Sequence, residues 1–130
     1  MQIMPHKILS IILVLKNMMS LNIWQMKLLE NKTAIITGAA RGIGKSIAIR
    51  FAEQGCNIAF TDLNEENIRN TQSELEAMGV KVKGYISNAA VFEDVEKVVN
   101  QIAEEFGRVD ILVNNAGITR DGLMLRMTEK

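Results

Sequence analysis

The sequence predicts an α/β domain in which a parallel β-sheet carries helices on both faces. Short apolar runs alternate with stretches whose apolar residues recur at helical spacing. A glycine follows each helical stretch, at Gly55, Gly79 and Gly107, where helices commonly end. A glycine-rich segment separates the first apolar run from the first helical stretch. Strict alternation of strand and helix favours parallel strands that are joined by right-handed helical crossovers.

The first strand, the first helix and the second strand follow one another along the chain. Residues 34–36 (AII) form a short apolar run that leads directly into the glycine-rich segment, which is typical of a buried parallel strand before a helix. The apolar residues that predict the first helix are Ile43, Ile47, Ala48 and Phe51. Residues 57–61 (NIAFT) are predicted as the second strand.

Two more helices and two more strands complete the alternation. The residues that indicate the second helix, more weakly, are Leu63, Ile68, Leu75 and Met78. Residues 80–87 (VKVKGYIS) and 111–113 (ILV) are predicted as the third and fourth strands. The apolar stripe that predicts the third helix consists of Val95, Val98, Val99, Ile102 and Phe106. We expect a doubly wound, Rossmann-type parallel sheet with the strand order 3-2-1-4, in which the glycine-rich segment lies where ligands bind.

The glycine-rich segment reads T-G-x-x-x-G-x-G from Thr37 to Gly44. Gly38 can adopt backbone angles that are closed to residues with a Cβ, and Gly42 and Gly44 leave room for the chain to approach a pyrophosphate. The free N–H groups and the dipole at the start of the following helix would then face the anion. We therefore predict that this turn binds a dinucleotide. A turn that is rich in glycine only because it is tight is the alternative.

The same segment partly matches an ATP-binding P-loop, because Gly44-Lys45-Ser46 has the residues that end that motif. Five residues separate Gly38 from Gly44, one more than a P-loop has, and Ala39 stands where the first glycine is required. No acidic residue at a strand end obviously supplies a magnesium ligand. A P-loop phosphotransferase is therefore the least favoured alternative.

Two features beyond the turn support a dinucleotide site. Asp62 follows the second strand, eighteen positions after Gly44, where a carboxylate accepts hydrogen bonds from the ribose hydroxyls of the adenosine half. Residues 62–65 (DLNE) could instead cap the second helix, and both roles stay open. Residues 114–117 (NNAG) follow the fourth strand and combine small residues with amide side chains, which suits a backbone that passes close to a cofactor. An ordinary Asn-Gly turn is the alternative there.

Composition argues against several classes of function. The 130 residues include fifteen basic and fifteen acidic side chains, so the formal net charge is zero and a nucleic-acid partner has no compositional support. A single cysteine, Cys56, excludes an internal disulfide, and with a single histidine, His6, we expect no metal site. These features fit a reduced, cytoplasmic setting.

Residues 1–25 do not continue the pattern of the domain. Residues 8–15 (ILSIILVL) form an apolar run that is far shorter than the roughly 20 residues of a membrane span, and no small-x-small cleavage site follows it. We interpret residues 1–25 as an extension that is either a mis-assigned start or dispensable, while a targeting segment and a docking helix stay open. We expect no membrane partner, and we take residues 26–130 as the domain.

The motif from Thr37 to Gly44, followed by residues 114–117, resembles the amino-terminal half of the short-chain dehydrogenase/reductase family. Residues 109–124 (VDILVNNAGITRDGLM) are similar, more narrowly, to the 3-oxoacyl-(acyl carrier protein) reductases of fatty-acid synthesis. The resemblance covers residues 26–130. It implies an oxidoreductase that uses NADP(H) or NAD(H) to reduce a 3-oxoacyl thioester carried on acyl carrier protein, and a full-length form that is a homo-oligomer.

The resemblance also implies which residues bind the cofactor. Carried over position by position, they are Gly38, Ala39, Ala40, Arg41, Gly42, Ile43, Gly44, Asp62, Leu63, Asn88, Ala89, Asn115, Ala116 and Gly117. Ile43 would lie under the nicotinamide side, while Asn88 and Ala89 would touch the adenine. Arg41 favours the 2′-phosphate of NADPH, whereas the carboxylate of Asp62 opposes it as a like charge, so the choice of cofactor stays open.

The sequence lacks the residues that the family uses for catalysis. The family uses a Ser and a Tyr-x-x-x-Lys pair, in which the tyrosine supplies a proton to the ketone. The only tyrosine here is Tyr85, and Ala89 stands four residues later. We therefore expect no catalytic residue in this sequence and a structural role for Tyr85. We also expect an incomplete sheet, because members of the family are substantially longer. A stand-alone nucleotide-binding or regulatory module without catalysis is the alternative function.

Overall fold

The computed structural model describes residues 7, 8, 10–15 and 26–116, of which residues 7, 8 and 10–15 are helical. The elements that follow are β1 (Thr33–Thr37), α1 (Gly42–Glu53), β2 (Asn57–Asp62), α2 (Glu65–Glu76), β3 (Val82–Ile86), α3 (Phe92–Phe106) and β4 (Ile111–Val113). The strands and helices that the sequence predicts are therefore confirmed. Among the described residues, no helix has the length and apolar character needed to cross a membrane.

The four strands form one parallel sheet in the order β3-β2-β1-β4, as predicted. Thr37 at the end of β1 pairs with Thr61 near the end of β2, and Ile36 pairs with Val113 at the end of β4. Because all strands run in the same direction, their carboxyl ends meet at one edge of the sheet. The glycine turn after β1 therefore lies at the centre of that edge.

Helices cover both faces of this sheet. Successive strand residues point to opposite faces, so Ile35 and Ile36 belong to different layers. One buried cluster joins the face of Ile36 and Phe60 to α1 and α2. The other joins Ile35 and Tyr85 to α3, chiefly through its buried residues Val98 and Ile102. The arrangement is doubly wound, with two helices on one face and one on the other.

The boundaries that differ most from the prediction are those of α2 and β3. α2 begins at Glu65, because the side chain of Asn64 caps it by accepting a hydrogen bond from the N–H of Asn67 at 2.9 Å. Leu63, predicted as part of this helix, lies before the cap and is 66% exposed. β3 is shorter than predicted and covers Val82–Ile86, the residues that pair with β2.

In the described part of the chain, apolar side chains of β4 and α3 remain exposed to solvent. Leu112 pairs in register with Ile35 and so points to the α3 face of the sheet, yet it is 67% exposed. Val99 on α3 is also 41% exposed, although the sequence places it on the predicted apolar stripe. α3 packs through Val98 and Ile102 instead, so only part of its apolar stripe contacts the sheet.

Asp110 joins the start of β4 to the start of β1. Its Oδ2 atom accepts hydrogen bonds from Thr33 N at 2.9 Å and from Arg108 Nε at 2.9 Å, and its Oδ1 accepts one from Arg108 Nη2 at 2.6 Å. The bonds from Arg108, followed by the bond from the Thr33 N–H, hold the pKa of Asp110 below its ordinary value.

We predict that Asp110→Asn lowers the free energy of unfolding at neutral pH and weakens its dependence on pH in acid. A carboxyl whose pKa is lowered by folding stabilises the protein above its unfolded pKa, about 3.9 for Asp, and loses that contribution as the pH falls through the folded pKa. Urea unfolding from neutral pH into acid measures both effects. Glu96→Gln, on the exposed surface of α3, is the control. An unchanged acid slope in Asp110→Asn would contradict the prediction.

Candidate functional site

A pocket of about 360 Å³ opens at the carboxyl edge of the sheet. Each of the four strands contributes to it, because parallel strands end at the same edge. Its lining residues are Gly38, Arg41, Thr61, Asp62, Leu63, Ser87, Asn88, Ala89, Ala90, Asn114, Asn115 and Ala116. The pocket is therefore bordered by the glycine turn and by the segments that follow β2, β3 and β4.

The structure brings together most of the residues that the sequence nominates for binding. Those that line the pocket are Gly38, Arg41, Asp62, Leu63, Asn88, Ala89, Asn115 and Ala116. Gly117 lies outside the described residues. Ile43 is 63% exposed and borders a separate groove along α1 with Gly42, Ile47 and Phe51. Its predicted place beside the nicotinamide stays a prediction.

Four further lining residues were not nominated from the sequence: Thr61, Ser87, Ala90 and Asn114. Thr61 and Ser87 lie beside nominated residues at strand ends, so the predicted ends of the second and third strands could have signalled them. Asn114 belongs to the NNAG segment, and Ala90 follows the nominated Ala89. Position at a strand end is therefore a better guide to the lining than residue type.

The glycine turn needs its glycines for two different reasons. Gly38 and Gly42 have φ angles of 64° and 60°, which residues with a Cβ rarely adopt. Gly44 has no such angle, but an added Cβ would lie 2.5 Å from the carbonyl oxygen of Gly38 and 2.5 Å from Asn115 Nδ2. The start of α1 thus passes against the backbone of its own turn, at a distance that only glycine permits.

Ala39 and Ala40 anchor the turn to β2. Both are buried, and Ala39 N donates a hydrogen bond to the carbonyl oxygen of Thr61 at 3.2 Å. Ala40 N donates to Asp62 Oδ2 at 3.1 Å. Their N–H groups are already bonded within the protein, so the N–H groups available to a ligand are those at the start of α1.

The start of α1 has neither a side-chain cap nor an acidic residue in its first turn. The start of α2 has both, since Asn64 caps it and Glu65 and Glu66 lie in its first turn. The start of α3 also has no side-chain cap, but its first turn contains Glu93 and Asp94. The positive end of the α1 dipole is therefore not compensated by a side chain and can attract an anion.

Asp62 places a carboxylate on the wall of the same pocket. Its Oδ2 atom accepts the Ala40 N–H, and its Oδ1 atom accepts the N–H of Leu63 at 2.8 Å. The cap of α2 is provided by Asn64, so Asp62 is not needed for that role. Two backbone amides fix this carboxylate, which retains lone pairs that could accept hydrogen bonds from hydroxyl groups.

The segment after β4 is tied to the end of β1 through one hydroxyl. Thr37 Oγ1 accepts hydrogen bonds from Asn115 N at 2.9 Å and Ala116 N at 3.0 Å, and it donates to Asn114 Oδ1 at 3.2 Å. Asn115 Nδ2 in turn donates to the carbonyl oxygen of Gly38 at 3.1 Å. This segment is more than an ordinary turn, because it fixes the glycine turn from the β4 side.

Two residues with possible chemical roles point elsewhere. The ammonium of Lys45 forms a salt bridge of 2.9 Å with Glu74 on α2, whereas a P-loop lysine reaches phosphates. Tyr85 packs on the α3 face and donates a hydrogen bond to Glu105 Oε2 at 3.0 Å. Burial, followed by the hydrogen bond to Glu105, raises the pKa of Tyr85. Neither side chain lines the pocket.

Comparison with known proteins gives a consistent result. Residues 32–130 match the family model for short chain dehydrogenases. The chain is 42% identical over 102 residues to the 3-oxoacyl-[acyl-carrier-protein] reductase FabG of Thermotoga maritima, covering 78% of this chain and 42% of that protein. It is 47% identical over 102 residues to the FabG of Vibrio cholerae, covering 78% and 41%. The chain thus spans about two fifths of the length of these curated relatives.

Solved structures resemble the chain as well. The NAD+-bound xylitol dehydrogenase superposes with a TM-score of 0.65 at 31% identity, over 66% of this chain and 33% of that one. A hydroxysteroid dehydrogenase from Escherichia coli superposes with a TM-score of 0.65 at 34% identity, over 67% and 37%.

We predict that Gly44→Ala destabilises the protein by about 1–3 kcal/mol, because the new methyl group overlaps backbone that cannot move independently. Ser46→Ala, two residues further along on an exposed part of α1, should change stability by no more than about 0.5 kcal/mol. Urea unfolding followed by circular dichroism measures both variants. Equal stability of Gly44→Ala and the unsubstituted chain would show that the close approach is not a constraint.

Proposed function

The chain belongs to the short-chain dehydrogenase family, and on this premise we propose that its pocket binds a nicotinamide dinucleotide. The observation that carries the proposal is that Arg41, which precedes the uncapped start of α1, and the carboxylate of Asp62 line one pocket. An uncapped helix start binds a pyrophosphate, and a carboxylate at the end of the second strand binds ribose hydroxyls. The comparisons with FabG proteins and with an NAD+-bound dehydrogenase support the same ligand.

The roles that we propose for the nominated residues follow the order of the strands along the chain. Gly38 and Arg41, with Gly42 and Gly44, hold the pyrophosphate at the start of α1. Asp62 and Leu63 bind the adenosine ribose, and Asn88 and Ala89 contact the adenine after β3. Asn115, Ala116 and Gly117 seat the nicotinamide half after β4, with Ile43 on the other side. Ala39 and Ala40 support the turn from beneath, since their N–H groups bond to β2.

We propose that the corresponding full-length enzyme reduces a 3-oxoacyl thioester carried on acyl carrier protein, with the nicotinamide supplying the hydride. The identity to FabG proteins from two bacteria supports this substrate class. We extend the proposal to a cytoplasmic homo-oligomer without a membrane partner. We propose no nucleic-acid partner either, which the formal net charge of zero supports. We also propose that residues 1–25 lie outside the domain and are dispensable for binding.

The 130-residue chain itself is proposed to bind the cofactor without turnover. Its one tyrosine is followed four residues later by Ala89, so the sequence contains no Tyr-x-x-x-Lys. The hydroxyl of Tyr85 is engaged by Glu105 on the opposite layer from α1, and its raised pKa makes it a poor proton donor. This observation favours a second candidate, a nucleotide-binding or regulatory module without catalysis.

Titration of the 130-residue chain with NADH, NADPH and ATP by calorimetry tests the proposal. We expect a nicotinamide nucleotide to bind and ATP to bind far more weakly, because Lys45 is paired with Glu74. With a 3-oxoacyl thioester added, the absorbance of the reduced nicotinamide should stay constant. Binding of ATP alone would overturn the proposal, and consumption of NADPH or NADH would overturn the expected inactivity.

We predict that Asp62→Asn raises the affinity for NADPH relative to NADH by about tenfold or more, since a carboxylate that faces a 2′-phosphate costs several kcal/mol and each 1.4 kcal/mol is tenfold. The substitution removes the charge while it keeps an oxygen acceptor in the pocket. Asp110→Asn, at the opposite end of the sheet, makes the same chemical change as a control. An unchanged ratio in Asp62→Asn would show that this carboxylate does not face the ribose.

A further inference from the structure

Thr71 makes an unusual contact for a residue in the middle of a helix. It lies on α2, is 1% exposed, and donates a hydrogen bond from Oγ1 to the carbonyl oxygen of Ala40 at 2.8 Å. A helical threonine commonly bonds to a carbonyl three or four residues earlier in its own helix. Here the hydroxyl reaches instead to the glycine turn, 31 residues earlier in the chain.

Both polar groups of Ala40 are therefore held by other elements. Its N–H donates to Asp62 Oδ2 at the end of β2, and its carbonyl oxygen accepts the hydroxyl of Thr71 from α2. The carbonyl of Ala40 and the N–H of Arg41 belong to one planar trans peptide, so they point in opposite directions. With the carbonyl held against α2, the Arg41 N–H is directed away from α2.

A second contact joins α2 to the start of α1. Glu74 lies three positions after Thr71 on the same face of α2 and forms the salt bridge with Lys45. No residue of α2 lines the pocket as the described residues form it. α2 therefore acts on the pocket only indirectly, through the glycine turn and the first turn of α1.

We propose that Thr71 is a positioning residue for the anion-binding turn. Its hydroxyl keeps the Ala40 carbonyl against α2, which prevents this peptide from rotating and presenting a carbonyl oxygen to the pyrophosphate. The Arg41 N–H is then left to face the anion at the helix start. The inference rests on the proposed binding of a nicotinamide dinucleotide.

The test compares Thr71→Val, which removes the hydroxyl at nearly constant volume, with Thr71→Ser, which retains it. NADH and adenosine are titrated as probes into each full chain after circular dichroism has shown that the variant is folded. We expect NADH to bind about tenfold more weakly to Thr71→Val, from the loss of one buried hydrogen bond and the misdirected peptide. Adenosine, which has no phosphate, should bind unchanged, and Thr71→Ser should restore the affinity for NADH.

Thr33→Val is the matched control, because Thr33 is equally buried but lies at the opposite, amino-terminal end of β1. It should leave NADH binding unchanged. Should Thr71→Val fail to fold, Thr71→Ala is measured in its place. Equal losses of NADH and adenosine would indicate a general structural role for Thr71, and unchanged NADH binding would show that the hydroxyl is not needed; either result overturns the proposal.

Amide hydrogen exchange of the unliganded chain tests the positioning independently of any ligand. The Ala40 amide is the reporter, because it is hydrogen-bonded to Asp62 in the unliganded chain. We expect it to exchange faster in Thr71→Val than in the unsubstituted chain, Thr71→Ser or Thr33→Val. Unchanged exchange at Ala40 would overturn the positioning role even if NADH binds. Failure of the unsubstituted chain to bind NADH or NADPH would instead overturn the proposed function, while the exchange result still decides whether Thr71 holds the turn.

Discussion

The close approach between the start of α1 and the turn before it is the constraint on which the site depends. At Gly44 there is no space for a Cβ, because the carbonyl oxygen of Gly38 and the amide of Asn115 occupy that position. This approach leaves the first N–H groups of α1 at the edge of the sheet, where the four strands end. Elements distant in sequence hold the turn in this arrangement: β2 through Asp62, and α2 through Thr71. An anion site made from main-chain amides thus depends on contacts from layers around it.

Most of the fold could be predicted from the sequence, because each element carries its own local signal. The apolar run at residues 34–36 and the glycine turn after it determine where β1 ends and α1 begins. The spacing from Gly44 also located Asp62, since strand and helix lengths in such a unit vary little. The start of α2 was misplaced because Leu63 fits the helical period, whereas the cap at Asn64 decides the boundary.

The hydrogen bonds that hold the glycine turn in place could not be predicted in the same way. Thr37 accepts two backbone N–H groups from the segment after β4, a contact that exists only because β4 pairs with β1. Thr71 lies on a helix whose pattern gives no reason to expect a bond to Ala40. The sequence marks Thr37 only as the first residue of the glycine motif and does not mark Thr71 at all, and the partners of both side chains are far away in the chain. Local periodicity contains information on burial, but not on which distant carbonyl a buried hydroxyl meets.

The two margins of the sheet are built differently. Along β3, Lys83 forms a salt bridge of 2.6 Å with Glu105, and the ammonium of neighbouring Lys81 lies 4.5 Å from the centre of the Phe106 ring. Charged side chains on an outer strand discourage the addition of another strand. β4, the other margin in the described part of the chain, consists only of apolar residues, and its Leu112 is 67% exposed. Of these two margins, β4 therefore presents the one that opposes a further strand less.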